Sequence, residues 1–161
     1  MTLEIPLSRG LVALVDDVDY ERVAAEGSWH AHSNGRTVYA RRNQWVDGRC
    51  ITTRLHNFIT GLDYVDHANG NGLDNRRSNL RAASHAQNMG NKRLYRNNTS
   101  GFKGVGLHKK SGLWQARLWI DGHLQYFGLH ATPEEAARAY DAAALQIFGK
   151  FARLNFPLET S

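Results

Sequence analysis

The chain has 161 residues, 22% of them charged and 42% hydrophobic, a balance that suits a folded protein and excludes a disordered one. Its formal charge of +5 admits polyanions as partners, while no apolar run approaches the roughly 20 residues that cross a bilayer, so no membrane partner is expected. Cys50 is the sole cysteine, which excludes an intramolecular disulfide and a CxxC zinc clip and leaves oxygen and nitrogen as the ligands for any metal.

Met1 to Gly10 lacks the basic start and apolar core of a secretory signal, and the expected location is the cytoplasm. Asp17 to Gly27 predicts a short helix, with an Asp to cap it, Tyr20, Val23 and Ala24 at helical spacing and a Gly to stop it. The runs Trp29 to His32, Thr37 to Val46 and Arg49 to Leu55 are β-prone and separated by Asn34-Gly35 and Asp47-Gly48, which predicts a three-stranded meander. A brief helix over His56 to Thr60 ends at Gly61, followed by a short strand, Tyr64 to His67. Asn69 to Ser78 consists almost wholly of Gly, Asn, Asp, Arg and Ser and predicts a surface loop outside the core, with Asp74 and Asn75 as turn formers. Leu80 to Ala83 forms a second strand, and Ser84-His85-Ala86-Gln87 is a capping box opening a helix that carries Asn88 and Asn91.

The polar stretch 94–100 marks the expected boundary between a domain over 1–93 and a second over 101–158. The second predicts strands over Phe102 to His108, Leu113 to Ile120 and His123 to Leu129, with turns at Ser111-Gly112 and Asp121-Gly122. Thr132-Pro133-Glu134-Glu135 then supplies an N-cap, a first-turn Pro and a capping-box Glu for an Ala-rich helix ending near Phe148 and Gly149. The fold class is therefore α+β, with the C-terminal three-stranded antiparallel sheet packed on one helix.

Charge is distributed unevenly. From Asn75 to Ile120 there is no acid, while Arg76, Arg77, Arg81, Lys92, Arg93, Arg96, Lys103, Lys109, Lys110 and Arg117 all fall there, interleaved with Tyr95, Phe102, Trp114 and Trp119. Such a stretch is the electrostatic footprint of a nucleic-acid surface. Phosphodiester hydrolysis needs a base to activate water, a cation to neutralise developing charge and a scaffold to fix both. Asp66 and His67, adjacent at a strand end, point to opposite sides of it unless the chain turns there, as Ala68-Asn69-Gly70 suggests, so a carboxylate and an imidazole are close but separable.

Leu55-His56-Asn57-Phe58-Ile59, Val65-Asp66-His67-Ala68-Asn69-Gly70-Asn71, Asn75-Arg76-Arg77-Ser78-Asn79-Leu80-Arg81 and Gln87-Asn88 together resemble the HNH homing-endonuclease signature. The resemblance implies a ββα-metal (His-Me finger) nuclease module in which His67 is the general base, Asn79 orients it through a ring nitrogen, and Asp66 and Asn88 hold the metal. Asn79 and Asn88 follow His67 by 12 and 21 residues, spacings that suit two strands and a helix. Carboxylate and amide oxygens suit Mg²⁺ or Mn²⁺, the expected cofactor. His56 matches a His common in these enzymes, with a structural, phosphate-contacting or direct catalytic role open to it.

Gly101-Phe102-Lys103-Gly104-Val105, Trp114-Gln115-Ala116-Arg117, Phe127-Gly128-Leu129, the helix segment Glu134 to Ala144 and Ala152 to Pro157 resemble the plant apetala-two/ethylene-response-factor DNA-binding domain. That resemblance implies a sheet laid in the DNA major groove and backed by the helix. Expected DNA contacts are Arg81, Lys92, Arg93, Arg96, Lys103, His108, Lys109, Lys110, Arg117, Trp119, Gln125 and Tyr126, with Lys109 and Lys110 on phosphate and Trp114 in the core. Gly106 and Trp119 stand where plant members carry basic residues, so their base preferences do not transfer. The partner is double-stranded DNA, and the chain is expected to act as a monomer or weak homodimer. Residence in a phage genome or an intron is an implication of the family. The competing readings are a non-catalytic DNA-binding regulator and an RNA-cutting enzyme, the latter disfavoured because the major groove of duplex RNA is too narrow for a sheet.

Overall fold

The computed structural model describes residues 1–92, 94 and 97–157, so Arg93, Tyr95 and Arg96 lie outside the described residues. It divides into two compact units, Met1–Ser84 and His85–Ser161.

The first unit opens with a hairpin that the sequence reading left unassigned. Strands β1 (Thr2–Pro6) and β2 (Val12–Asp16) pair antiparallel with Leu3 opposite Val15 and Ile5 opposite Ala13. Helix α1 (Asp17–Ala25) follows directly and buries Val23. The meander forms as expected, with β3 (His30–Ser33), β4 (Val38–Val46) and β5 (Arg49–Arg54) in that order in one antiparallel sheet. Asp47 and Gly48 both take left-handed backbone, φ 48° and 74°, the geometry whose twist suits a two-residue hairpin turn. Helix α2 (Leu55–Thr60) stops at left-handed Gly61, and β6 (Val65–His67) pairs antiparallel with β7 (Leu80–Ala82). Ile5, Ala13, Val15, Val23, Trp29, Ala40, Leu55 and Ile59 form one apolar cluster. Leu55 is fully enclosed, which is worth about 2 kcal/mol over leaving it in water.

The loop joining β6 to β7 corrects the expectation of a surface connection. Asp74, Asn75 and Asn79 are 2%, 0% and 7% exposed. Burial of so polar a segment is tolerable because the chain answers most of its hydrogen bonds, Asn75 Nδ2 being an exception. Leu14 N–H donates to the Leu73 carbonyl and Asn75 N–H to the Leu14 carbonyl, each at 2.8 Å, which zips the loop to β2. Asp74 accepts from Arg76 Nε and Nη2, both at 2.7 Å, and from Asn69 Nδ2 at 2.8 Å. Buried Asp19 on α1 in turn receives both arms of Arg77 at 2.7 and 2.8 Å, and these guanidinium contacts hold its carboxyl below the usual range.

The second unit begins at helix α3 (His85–Gly90), ahead of the polar stretch expected to divide the chain. Local packing explains the difference. The Gly90 carbonyl accepts from Arg153 N–H at 3.1 Å and from Lys103 Nζ, and a Cβ on Gly90 would lie 2.6 Å from the Phe148 ring. Strands β8 (Val105–His108), β9 (Leu113–Ile120) and β10 (His123–His130) form the expected antiparallel sheet, with β9 central. Helix α4 (Pro133–Phe148) starts at a complete capping box between Thr132 and Glu135 and buries Ala136, Ala137, Tyr140, Ala143 and Ala144. The tail after α4 is tied back by Asp141, which accepts from Asn155 N–H and Phe156 N–H, both at 2.8 Å.

Candidate functional site

Strand β6 is buried along its whole length, which fixes the two residues expected to carry chemistry. Asp66 stands opposite Arg81 on β7, and its Oδ2 accepts from Arg81 Nε at 2.8 Å and Nη2 at 2.6 Å. Arg81, expected on DNA, is thus drawn into an ion pair with the expected metal ligand. His67 meets a different set of groups. Its ring lies 4.9 Å from the His56 ring, edge on, and 5.8 Å from the ring of Tyr39, which in turn lies 5.6 Å from His56. Gly72 closes this aromatic group from the loop side, since a Cβ there would fall 2.6 Å from the Tyr39 ring.

Burial controls the protonation of both imidazoles, because enclosure penalises the charged ring. His56 is driven down to about 3, first by burial and then by the neighbouring His67 and Arg54. His67 is also lowered, again first by burial, with the Asn75 hydrogen bond and the Asp66 and Asp74 carboxylates pulling partly back. Both rings are neutral near pH 7.

The asparagines divide the work differently from the resemblance. Asn79 Oδ1 accepts from Asn69 N–H at 3.0 Å and its Nδ2 donates to the Asp74 carbonyl at 2.7 Å, so its amide braces the loop carrying the site. The amide oxygen beside the His67 ring is that of Asn75, 3.3 Å from Nε2. Sequence reasoning took Asn75 for a turn former and missed Tyr39. The contact of Asn75 depends on burial of the loop, which composition alone hides. Asn88 sits half-buried on α3, in the second unit. Among the described residues no group of three or more His, Cys, Asp or Glu is placed to hold a metal ion.

In the second unit, pairing registers sort the expected DNA contacts by face. Arg117 and Tyr126 stand opposite each other, as do Trp119 and Leu124, on the face away from the buried Ala116 and Leu118. Arg117, Trp119 and Tyr126 are exposed, and the Arg117 guanidinium lies where only the bare Cα of Gly106 leaves room, 2.9 Å from a hypothetical Cβ. His108 belongs to this open face too, and its Nδ1 lies 2.8 Å from Ser111 Oγ. Lys109 and Lys110 are exposed in the β8–β9 turn, and Lys92 is exposed beyond α3.

Two expected contacts lie off the open face. Gln125 stands opposite Leu118, on the helix-facing side by register, and is exposed there. Lys103 turns inward, its Nζ donating to the Gly90 carbonyl and lying 5.7 Å from the Tyr140 ring centre, and burial pulls its ammonium down to about 8. Trp114, opposite Leu107 and on the same side as Ala116, is half-buried toward the helix as expected.

Residues 64–90, which span β6, the buried loop, β7 and α3, match the HNH endonuclease family. The chain therefore carries an HNH endonuclease domain. Protein 3.8 of Escherichia phage T7 is 32% identical over 92 residues, covering 57% of this chain and 75% of that protein. The chain belongs to the same family as that phage protein. It is also similar to plant proteins: APETALA2-like protein 2 of Oryza sativa subsp. japonica is 38% identical over 63 residues, or 39% of this chain. The AP2-like ethylene-responsive transcription factor TOE2 of Arabidopsis thaliana is 38% identical over 61 residues, or 38% of this chain. The chain spans only 14% and 13% of these two plant proteins. No solved structure matches it significantly.

Proposed function

We propose that the protein is a homing-type, site-specific DNA endonuclease that hydrolyses phosphodiester bonds in the first unit and grips double-stranded DNA with the open face of the second. The observation that carries this reading is the buried, neutral His67 at the end of β6, with the Asn75 amide at its ring and Asp66 beside it, inside the HNH-matching segment.

With Asn75 Oδ1 accepting from Nε2–H, the ring proton is on Nε2 and the lone pair on Nδ1. A neutral imidazole so fixed takes a proton from water as its oxygen bonds to phosphorus and the bond to the leaving oxygen breaks. Asn79 keeps the loop, and through it Asn75, in place. The protein oxygens that the first unit offers for Mg²⁺ or Mn²⁺ are those of Asp66, hard donors that suit either ion. When bound, the ion supplies positive charge for the phosphate and the leaving oxygen. His56 shields the site and supports the His67 ring. Arg117, Trp119, Tyr126 and His108 face DNA, with Lys109, Lys110 and Lys92 on phosphates. The chain works as a monomer or weak homodimer, at the nucleoid of a bacterial host.

Plasmid nicking at low salt tests this. Wild type is expected to relax supercoiled plasmid in Mg²⁺ or Mn²⁺ and not in chelator. His67→Ala is expected to lose at least about 100-fold in rate, the contribution of a positioned base, while still binding DNA. Binding without cutting by the wild type on several substrates would make the protein a DNA-binding regulator.

A further inference from the structure

Beyond the body of the first unit, strands β4 and β5 continue as a bare two-stranded ribbon. Every residue from Asn43 to Thr52 is exposed, including Trp45 at 74%, Ile51 at 48% and Val46 at 39%. An exposed ribbon of this kind gains nothing from core burial, and a large aromatic held in water at its tip is left unexplained by folding.

The two faces of the ribbon differ. Side chains alternate along a strand, so Tyr39, Arg41, Asn43 and Trp45 share one face of β4. Directly across on β5, Arg54 stands opposite Arg41, Thr52 opposite Asn43 and Cys50 opposite Trp45. Tyr39 is the residue that packs on His56 and His67. The catalytic group and the ribbon thus share a single continuous face that starts at His67 and ends at Trp45.

That face is built for an anion. Like charges directly opposite in a ladder are destabilising, yet Arg41 and Arg54 are so placed, and neither pairs with a carboxylate among the described residues. Asp47 in the turn is the only acid from Arg36 to Arg54, against five arginines counting both ends, of which Arg49, opposite Val46, lies on the ribbon's other face. Asn43 and Thr52 bond to each other at 2.9 Å, which leaves further donor capacity toward a ligand.

We propose that the β4–β5 ribbon is a third DNA-contacting element, which carries the duplex away from the cut on one side, with Arg41 and Arg54 on phosphates and Trp45 against the groove at its tip. From Tyr39 to Trp45 the strand runs about 20 Å at roughly 3.3 Å per residue, or about six base pairs of duplex at 3.4 Å each. This proposal rests on the endonuclease reading but uses residues outside the HNH-matching segment and outside the C-terminal sheet.

The test compares full-length wild type with Trp45→Ala/Arg54→Ala for binding to a duplex of about three helical turns, across a salt titration. Loss of one phosphate contact and one aromatic contact is expected to raise Kd about tenfold or more and to lower the salt slope by about one. The melting temperature should stay near wild type, since both side chains are exposed. Unchanged Kd and slope, with a wild type that binds and nicks, would overturn the ribbon's role and leave the endonuclease intact. A wild type that neither binds nor nicks would overturn both. Wild-type dimers that become monomers in the variant, with Kd unchanged, would assign the ribbon to a second copy of the chain and overturn the proposal. The native chain offers an independent measurement, because its sole thiol, Cys50, is exposed opposite Trp45. A photocrosslinker on Cys50 is expected to trap duplex DNA and be competed by unlabelled duplex, and absence of any DNA adduct under saturating conditions would also overturn it.

Discussion

His56 and His67 press two imidazoles edge to face in a buried pocket, and the cost of charging either one sets how the first unit responds to acid. For His56 the folded value of about 3 lies below the 6.5 of an exposed imidazole. The unfolded chain therefore takes up the proton first as pH falls. The stability linked to His56 is complete above pH 6.5 and is lost progressively from there toward pH 3. Each unit of pH in that window costs roughly 1.4 kcal/mol for one such group. Asp19 and Asp74 are held below the ordinary 3.8 of an Asp, so they do not titrate between pH 5 and 6.5. Urea unfolding at pH 6.5 and pH 5 should show wild type losing about 2 kcal/mol, with His67 adding in the same direction. His56→Gln should flatten that dependence, and parallel curves for the two proteins would show that the His56 ring is not kept neutral by the fold.

At the scale of elements, the contact between α4 and its sheet turns on a single position. Gly104 has φ 74°, and a Cβ there would lie 2.0 Å from the Tyr140 ring and 2.7 Å from the Arg117 carbonyl. Gly104→Ala is expected to cost about 3 kcal/mol or more, from left-handed strain plus displacement of a fully buried ring. The second unit should then melt roughly 10 °C or more lower, and an unchanged transition would mean that the ring and strand part without loss. The elements the sequence made legible are those whose ends carry their own chemistry. Asp47-Gly48, Asp121-Gly122, Gly61 and the Thr132–Glu135 box each state a turn or cap locally, and β4, β5, α2, β9, β10 and α4 end where those residues require. The β1–β2 hairpin has no such signal, because its turn passes through Ser8, Arg9 and Gly10 rather than a two-residue motif. The loop from Asn69 to Ser78 reads as solvent-exposed because nothing local says that Leu14 will pair with it. For the same reason His67 and Asp66 could be found from the sequence, whereas Asn75 at the ring and Arg81 on the carboxylate needed the fold.

At the scale of the whole molecule, the proposed cutting and gripping use different chemistry, and salt separates them. Proton transfer at buried His67, as proposed, would be shielded from bulk ions, whereas contacts from exposed cations to phosphate release counterions and weaken linearly on a log–log plot. Arg117 lies on the open face opposite Tyr126, its guanidinium over Gly106, distant in sequence from every residue proposed to cut. Arg117→Ala should therefore raise Kd by roughly 5- to 100-fold, depending on whether it meets phosphate or a base edge, and lower the salt slope by about one. With protein in saturating excess, its single-turnover nicking rate should remain near that of wild type, because the bound complex reaches the same site. Lys103→Met is the matched control: a buried ammonium bonded to the Gly90 carbonyl contributes no counterion release, so Kd and slope should both stay as in wild type. If Lys103→Met lowered the slope as much as Arg117→Ala, the inward placement of Lys103 would be wrong. If Arg117→Ala altered neither Kd nor slope, the open face would not be the gripping surface, and grip would have to come from the cations of the first unit.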